Sequence, residues 1–227
     1  PAPHRGLLLP LAGPALSAAD LSSIPSDAVY FAAAKISPAA AYRELRRALE
    51  TISPELDRQF SASVERLQKQ LELSLTEDVL GNLGDTWLVS SAPSHGGLLT
   101  GTLLSVNVRN PEAFSATLER IERFASGVLP PEARLESVPT GRTKVRYLAF
   151  PGAPMPVAPA WSVSRGRLYI GAWPQIVQSA VLREAVPGLT NTPAFEPWRA
   201  PVAEKSSILG YVDLPALLRH TYQWILL

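Results

Sequence analysis

The chain has 227 residues and a formal net charge of +1, from 21 Lys+Arg against 20 Asp+Glu. With no basic run longer than Arg46-Arg47 it offers no footprint for nucleic acid, and 46% hydrophobic residues are enough for a folded core. Cysteine is absent, which excludes disulfides, thiol nucleophiles and thiolate metal sites.

Residues 1–19 carry an apolar stretch after His4 and Arg5, interrupted by Pro10 and Pro14. They are expected to form an N-terminal arm, or to be the remnant of a signal or anchor segment. Residues 20–227 are expected to form a single α+β domain, truncated at its C-terminus because Leu214 to Leu227 runs apolar to the last residue.

Within that domain one arrangement is written four times: an apolar strand, a short link, a proline, then a helix. Ala28 to Lys35 leads through Ser37-Pro38 into a helix ending near Glu50. Next come a helix opened by Ser53-Pro54-Glu55, striped with Leu56, Phe60, Val64, Leu67 and Leu71, and a short one over Thr76 to Leu80 capped by Thr76. Gly101 to Val108 leads through Asn110-Pro111 into a helix through Phe124. Arg167 to Ala172 precedes Trp173-Pro174 and a helix to Ala185, and Ser207 to Val212 precedes Asp213-Leu214-Pro215 and the terminal helix. Ser37 and Asn110 can accept hydrogen bonds from unpaired helix N–H groups, and a proline in the first turn has no N–H to lose. The four prolines are unevenly spaced, which excludes a solenoid of fixed period.

Short turns separate the remaining strands. Asp85 to Ala92 and Leu98 to Val108 flank Pro93-Ser94-His95-Gly96-Gly97; Arg134 to Val138 and Lys144 to Phe150 flank Pro139-Thr140-Gly141-Arg142; Ala160 to Ser164 and Arg167 to Gly171 flank Arg165-Gly166. Such hairpins demand antiparallel pairing. The expected fold is therefore α+β, a largely antiparallel sheet with helices packed on one face and built from recurring strand–proline–helix units.

Chemistry is sparse. His4, His95 and His220 stand in no metal-binding spacing, so no metal site is expected. The Ser94-His95-Gly96-Gly97 run resembles the oxyanion loop of lipases and esterases, yet no serine stands in a G-x-S-x-G elbow. The loop is better read as an exposed, comparatively mobile hairpin connection. Lys205-Ser206-Ser207 is not spaced to meet across a helix turn. Neither a Walker loop nor G-x-G-x-x-G occurs, so no cofactor is expected. Glu77 and Asp78 suit a helix start. Trp87, Trp161, Trp173, Trp198 and Trp224 fit core packing better than a carbohydrate or lipid groove. Arg43, Arg46 and Arg47 share one polar helix face, with Glu44 and Glu50 nearby.

Three stretches together carry a family resemblance: Ser23-Ile24-Pro25-Ser26-Asp27-Ala28-Val29-Tyr30-Phe31, then Leu80-Gly81-Asn82-Leu83-Gly84-Asp85, then Leu104 to Phe114 (LSVNVRNPEAF). With the Trp161 to Gly171 hairpin and Gly210-Tyr211-Val212-Asp213, they resemble the bacterial family called domain of unknown function 3352, over most of residues 20 to 227. The resemblance implies an extracytoplasmic protein, often tethered to a membrane by a segment outside this chain. It supplies no catalytic residues. Two classes of function follow. One is a non-catalytic binding or structural domain with an unidentified protein or small-molecule partner, favoured because no constellation of nucleophile, base or metal ligands is visible. The other is a hydrolase whose site is assembled from the distant residues Asp85, Ser94 and His95.

Overall fold

The computed structural model describes residues 13–96, 101–152, 157–183, 188–192, 195 and 206–225. Eight strands form one sheet: β1 Tyr30–Lys35, β2 Leu83–Ser91, β3 Thr102–Val108, β4 Arg134–Thr140, β5 Thr143–Ala149, β6 Ala160–Ser164, β7 Arg167–Gly171 and β8 Ile208–Val212. Their spatial order is β4-β5-β6-β7-β3-β2-β1-β8, and every pairing is antiparallel. The helices are α1 Pro38–Ile52, α2 Pro54–Leu71, α3 Pro111–Val128, α4 Pro174–Leu182 and α5 Leu214–Ile225. The chain is α+β around a largely antiparallel sheet. No helix among the described residues is long and apolar enough to cross a membrane.

The helices do not share one face, and the period-two alternation of the strands shows why. Val106, Val108 and Leu168 project to one side, where Phe114 and Leu118 of α3 cover them. Leu103, Tyr169 and Ala160 project to the other, beneath Ile176, Val177 and Val181 of α4. The expectation of helices on a single face is thus corrected to helices on both. Both sheet faces are apolar, so each needs a cover. The four strand–proline–helix junctions are present, but α3 and α4, which follow two of them, cover opposite faces.

Individually, the junctions obey the capping logic. Asn110 Oδ1 accepts from the Ala113 N–H at 3.1 Å, Ser37 Oγ from the Ala40 N–H at 3.3 Å and Asp213 Oδ1 from the Ala216 N–H at 2.9 Å. Trp173 supplies no side-chain cap. The short helix before β2 is a π-helical turn, Leu75–Leu80, and its cap is Ser74 rather than Thr76: Ser74 Oγ accepts from the Glu77 N–H at 3.2 Å. On α2 the apolar stripe buries no residue completely, and Leu56 and Leu67 stay exposed. This helix rests on α1, with Phe60 against Tyr42 at 6.3 Å between ring centroids and Asp57 paired to Arg46 at 2.9 Å. Arg46 is therefore an inter-helix contact rather than part of a solvated face.

On the α3 side, Glu122 ties helix to sheet. Its carboxylate receives the Trp161 indole N–H at 2.8 Å and pairs with Arg146 at 2.6 Å. Trp87 donates to the Ile36 carbonyl and Trp173 packs against the α4 core, so these three tryptophans are structural. The Trp198 residue and the Trp224 side chain lie outside the described residues.

On the other side, the N-terminal arm completes the cover that α4 begins. Leu16, Leu21 and Ile24 pack on Phe31, Ala33 and Leu88. Residues 13–19 therefore belong to the domain's own packing, whereas the signal or anchor reading of residues 1–12 lies outside the described residues.

Asn110→Ala removes the acceptor at the α3 N-terminus and is expected to lower stability by about 1 kcal/mol. Urea unfolding of the variant beside wild type measures it, and an unchanged midpoint would contradict the capping role.

Candidate functional site

The arm is fastened to the sheet by one buried charge cluster. Lys35 Nζ at the end of β1 donates to Asp20 Oδ1 at 2.9 Å, to Thr86 Oγ1 at 2.8 Å and to Asp85 Oδ1 at 3.3 Å. The second Asp20 oxygen takes the backbone N–H and the hydroxyl of Ser17 at 2.8 and 2.7 Å. Burial alone would raise the Asp20 carboxyl, but the hydrogen bonds from Lys35, Ser17 and Thr86 outweigh it and hold the pKa at about 2. Burial likewise pulls the Lys35 ammonium down, and the two aspartates more than restore it.

Beyond Asp20 the arm crosses the sheet face as a wall. The Ile24 carbonyl accepts from the Leu189 N–H at 2.9 Å. Gly188 lies so close behind that a Cβ there would stand 2.6 Å from the Ser22 carbonyl oxygen, which only glycine permits. Between this wall, the β6–β7 turn and α4 lies a cavity of about 240 Å³. Its lining includes Ser23, His95, Arg165, Arg167, Tyr169 and Arg183. Arg165 reaches it from a two-residue turn in which its own φ is 46° and that of Gly166 is 72°.

Three residues of the lining carry buried polar atoms without a hydrogen-bond partner among the described residues: Ser23 Oγ, His95 Nδ1 and Nε2, and Arg167 Nη1. Arg167 donates its other terminal nitrogen to the Asp20 carbonyl at 3.2 Å, so the fastening of the arm also aims the guanidinium. Burial depresses Arg167, with Tyr169 and Asp20 opposing. Buried polar atoms are normally paired, and an unpaired one costs on the order of 1–3 kcal/mol.

His95 ends a single 3₁₀ turn, Pro93–His95, and is only 4% exposed. Pro93, Ser94 and Gly96 are exposed, as expected of a hairpin connection, whereas His95 is buried; Gly97 lies outside the described residues. Burial and the neighbouring Arg183 push its pKa down to about 4, against a smaller upward pull from Asp27. Asp27 accepts from the Ser94 N–H and hydroxyl, both at 2.9 Å, and pairs with Arg183 at 3.3 Å, while Arg183 also donates to Ser94 Oγ. Burial would raise Asp27; the Ser94 bonds and Arg183 bring it below its ordinary value.

The structure does not assemble Asp85, Ser94 and His95 into a hydrolytic site. Asp85 pairs with Lys35 near the start of β2, whereas His95 follows the strand's far end. Ser94 faces Asp27 and Arg183, and His95 bonds neither a hydroxyl nor a carboxylate among the described residues. No group of three or more potential metal ligands occurs among the described residues. His4 and the His220 side chain lie outside them. Sequence reading missed Ser23, Arg165, Arg167 and Arg183, which come from three segments with no shared motif: the arm, the β6–β7 hairpin and the end of α4. The one available signal was His95 itself. A wider hollow of about 500 Å³ adjoins across Asp27, lined by Val29, Leu189 and Tyr211, but none of the unpartnered buried atoms lines it.

No protein family, curated protein or solved structure matches the chain.

Folded His95 takes a proton only near pH 4, whereas the unfolded chain takes it near the ordinary 6.5. Between those values the unfolded state binds more protons, so stability falls as pH is lowered through that window. Asp20 acts lower down: its contribution is present above 3.8 and is lost as pH falls toward about 2. Urea unfolding against pH, with wild type beside His95→Gln, is expected to show a shallower slope between about pH 6.5 and about pH 4 in the variant. Equal slopes would contradict a neutral buried His95.

Proposed function

We propose that this chain is a non-catalytic binding domain whose small-molecule ligand occupies the cavity beneath the N-terminal arm. The observation that carries the reading is that Ser23, His95 and Arg167, each with a buried polar atom lacking a described partner, line one cavity of about 240 Å³. A protein interior tolerates such atoms where a ligand supplies their partners. The walls suit a preformed site, since the arm is held by Asp20 and Gly188 and the opposite side by the α4 core. What weighs against a hydrolase built on Asp85, Ser94 and His95 is that Ser94 is engaged by Asp27 and Arg183 rather than by His95. The resemblance to domain of unknown function 3352 adds an extracytoplasmic setting in a bacterium, with any membrane tether outside this chain, as part of the same proposal.

Ala180 lines the cavity from α4, so Ala180→Leu fills it without removing a polar group. Thermal unfolding is measured with a panel of small polar solutes: sugars, amino acids, dicarboxylates and inorganic oxyanions. At least one is expected to raise the wild-type midpoint saturably and to leave folded Ala180→Leu unmoved. Equal stabilisation of both proteins, or of neither, would contradict the site.

A further inference from the structure

The charged side chains described in the lining of this cavity are all arginines. Among the described residues that line it, Arg165, Arg167 and Arg183 carry positive charge and none carries negative charge. The nearest described carboxylate to Arg183 is that of Asp27, 3.3 Å away, which does not itself line the cavity. The carboxylate of Asp20 is turned to Lys35, Ser17 and Thr86, and only its backbone carbonyl meets Arg167. Of the unpartnered atoms, the Arg167 nitrogen is a pure donor and the Ser23 hydroxyl can donate, while neutral His95 offers one donor nitrogen. Donors therefore exceed acceptors on the cavity wall.

Resting on the binding-domain reading, we infer that the cavity takes a small dianionic oxyanion, a sulfate or phosphate-type group, received by Arg167 and Ser23 with His95 as a proton-dependent third donor. Arginine suits such a group because its planar fork meets two oxygens at once, and the bonds are charge-assisted. Free inorganic anion and the same group on a small organic molecule both satisfy this chemistry. Arg183 lies alongside, committed to Ser94 and Asp27. His95 faces Arg183 from α4 and Asp27 from the segment before β1. Burial and Arg183 keep it neutral. A bound dianion supplies the opposite charge that this imidazole lacks, so binding draws in a proton.

Calorimetric titration of the full chain tests this with three probes: sodium sulfate, phenyl phosphate and, as a neutral control, glucose. Sulfate keeps both charges across the working range, so any pH dependence belongs to the protein. Saturable sulfate binding is expected, weakened at least about tenfold in Arg167→Met and in Ser23→Ala, the latter removing a hydroxyl with no described partner. Affinity is expected to rise about tenfold from about pH 7 to about pH 5, and His95→Gln to abolish that rise. Phenyl phosphate binding tighter than sulfate indicates an organic ligand, and equal or weaker binding indicates the free anion; either supports the oxyanion class. Glucose binding in place of sulfate, lost in Ala180→Leu, would overturn the oxyanion class and leave the cavity as a binding site. Sulfate binding unaffected by Arg167→Met and Ser23→Ala, or no binding of any probe, would overturn the assignment. A flat pH profile would remove His95 from the receiving groups. If Arg167→Met fails to fold, Ser23→Ala and Arg167→Lys carry the comparison.

Discussion

The contact between Lys35 and Asp20 holds one whole side of this fold in place. It joins the last residue of β1 to a segment that would otherwise be a free N-terminal tail, and both side chains are nearly buried. A buried pair of this kind is costly to break, because the survivor is left as an uncompensated charge. Here the cost is contained by sharing: Lys35 also meets Thr86 and Asp85, and Asp20 also meets Ser17. Once Asp20 is fixed, Leu21 and Ile24 fall onto Phe31 and Leu88, and the Asp20 carbonyl turns Arg167 along the sheet. Anchor, wall and binding group are one continuous piece of chain.

The two faces of the sheet divide the labour. One is sealed by α3, where Glu122 meets Arg146 and Trp161 and every partner is satisfied by another. The other is covered jointly by α4 and the arm, two elements that do not close fully against each other. The gap between them is the cavity. Its residues come from the arm, from the turn after β2, from the β6–β7 hairpin and from α4, so no single segment owns the site.

This distribution explains what could be read from the amino-acid order and what could not. Helix starts were legible because Ser37-Pro38 and Asn110-Pro111 act within one turn, and hairpins because Arg165-Gly166 fixes its own backbone. The face each helix covers was not legible. It depends on which strand parity meets which helix, as Leu103 and Leu104 illustrate by sending neighbouring side chains to α4 and α3 respectively. The Pro93–Gly96 turn is exposed as its serine and glycine imply, except at His95, whose burial is decided by α4 and Arg183, nearly ninety residues away. Arg167 looked like an ordinary strand residue. Only the arm passing over it, tied down at Asp20, makes its charge a buried one.

The central claim is that the unpartnered atoms of Ser23, His95 and Arg167 mark one preformed ligand site. Nuclear magnetic resonance of the ¹⁵N-labelled chain, followed as sulfate is added, tests it most directly. The account predicts saturable changes in the His95 ring nitrogens and in the amides of residues 22–24 and 167, with Glu122 and Trp161 on the opposite face unmoved. Changes scattered over the surface in proportion to salt, or none at His95, would contradict it.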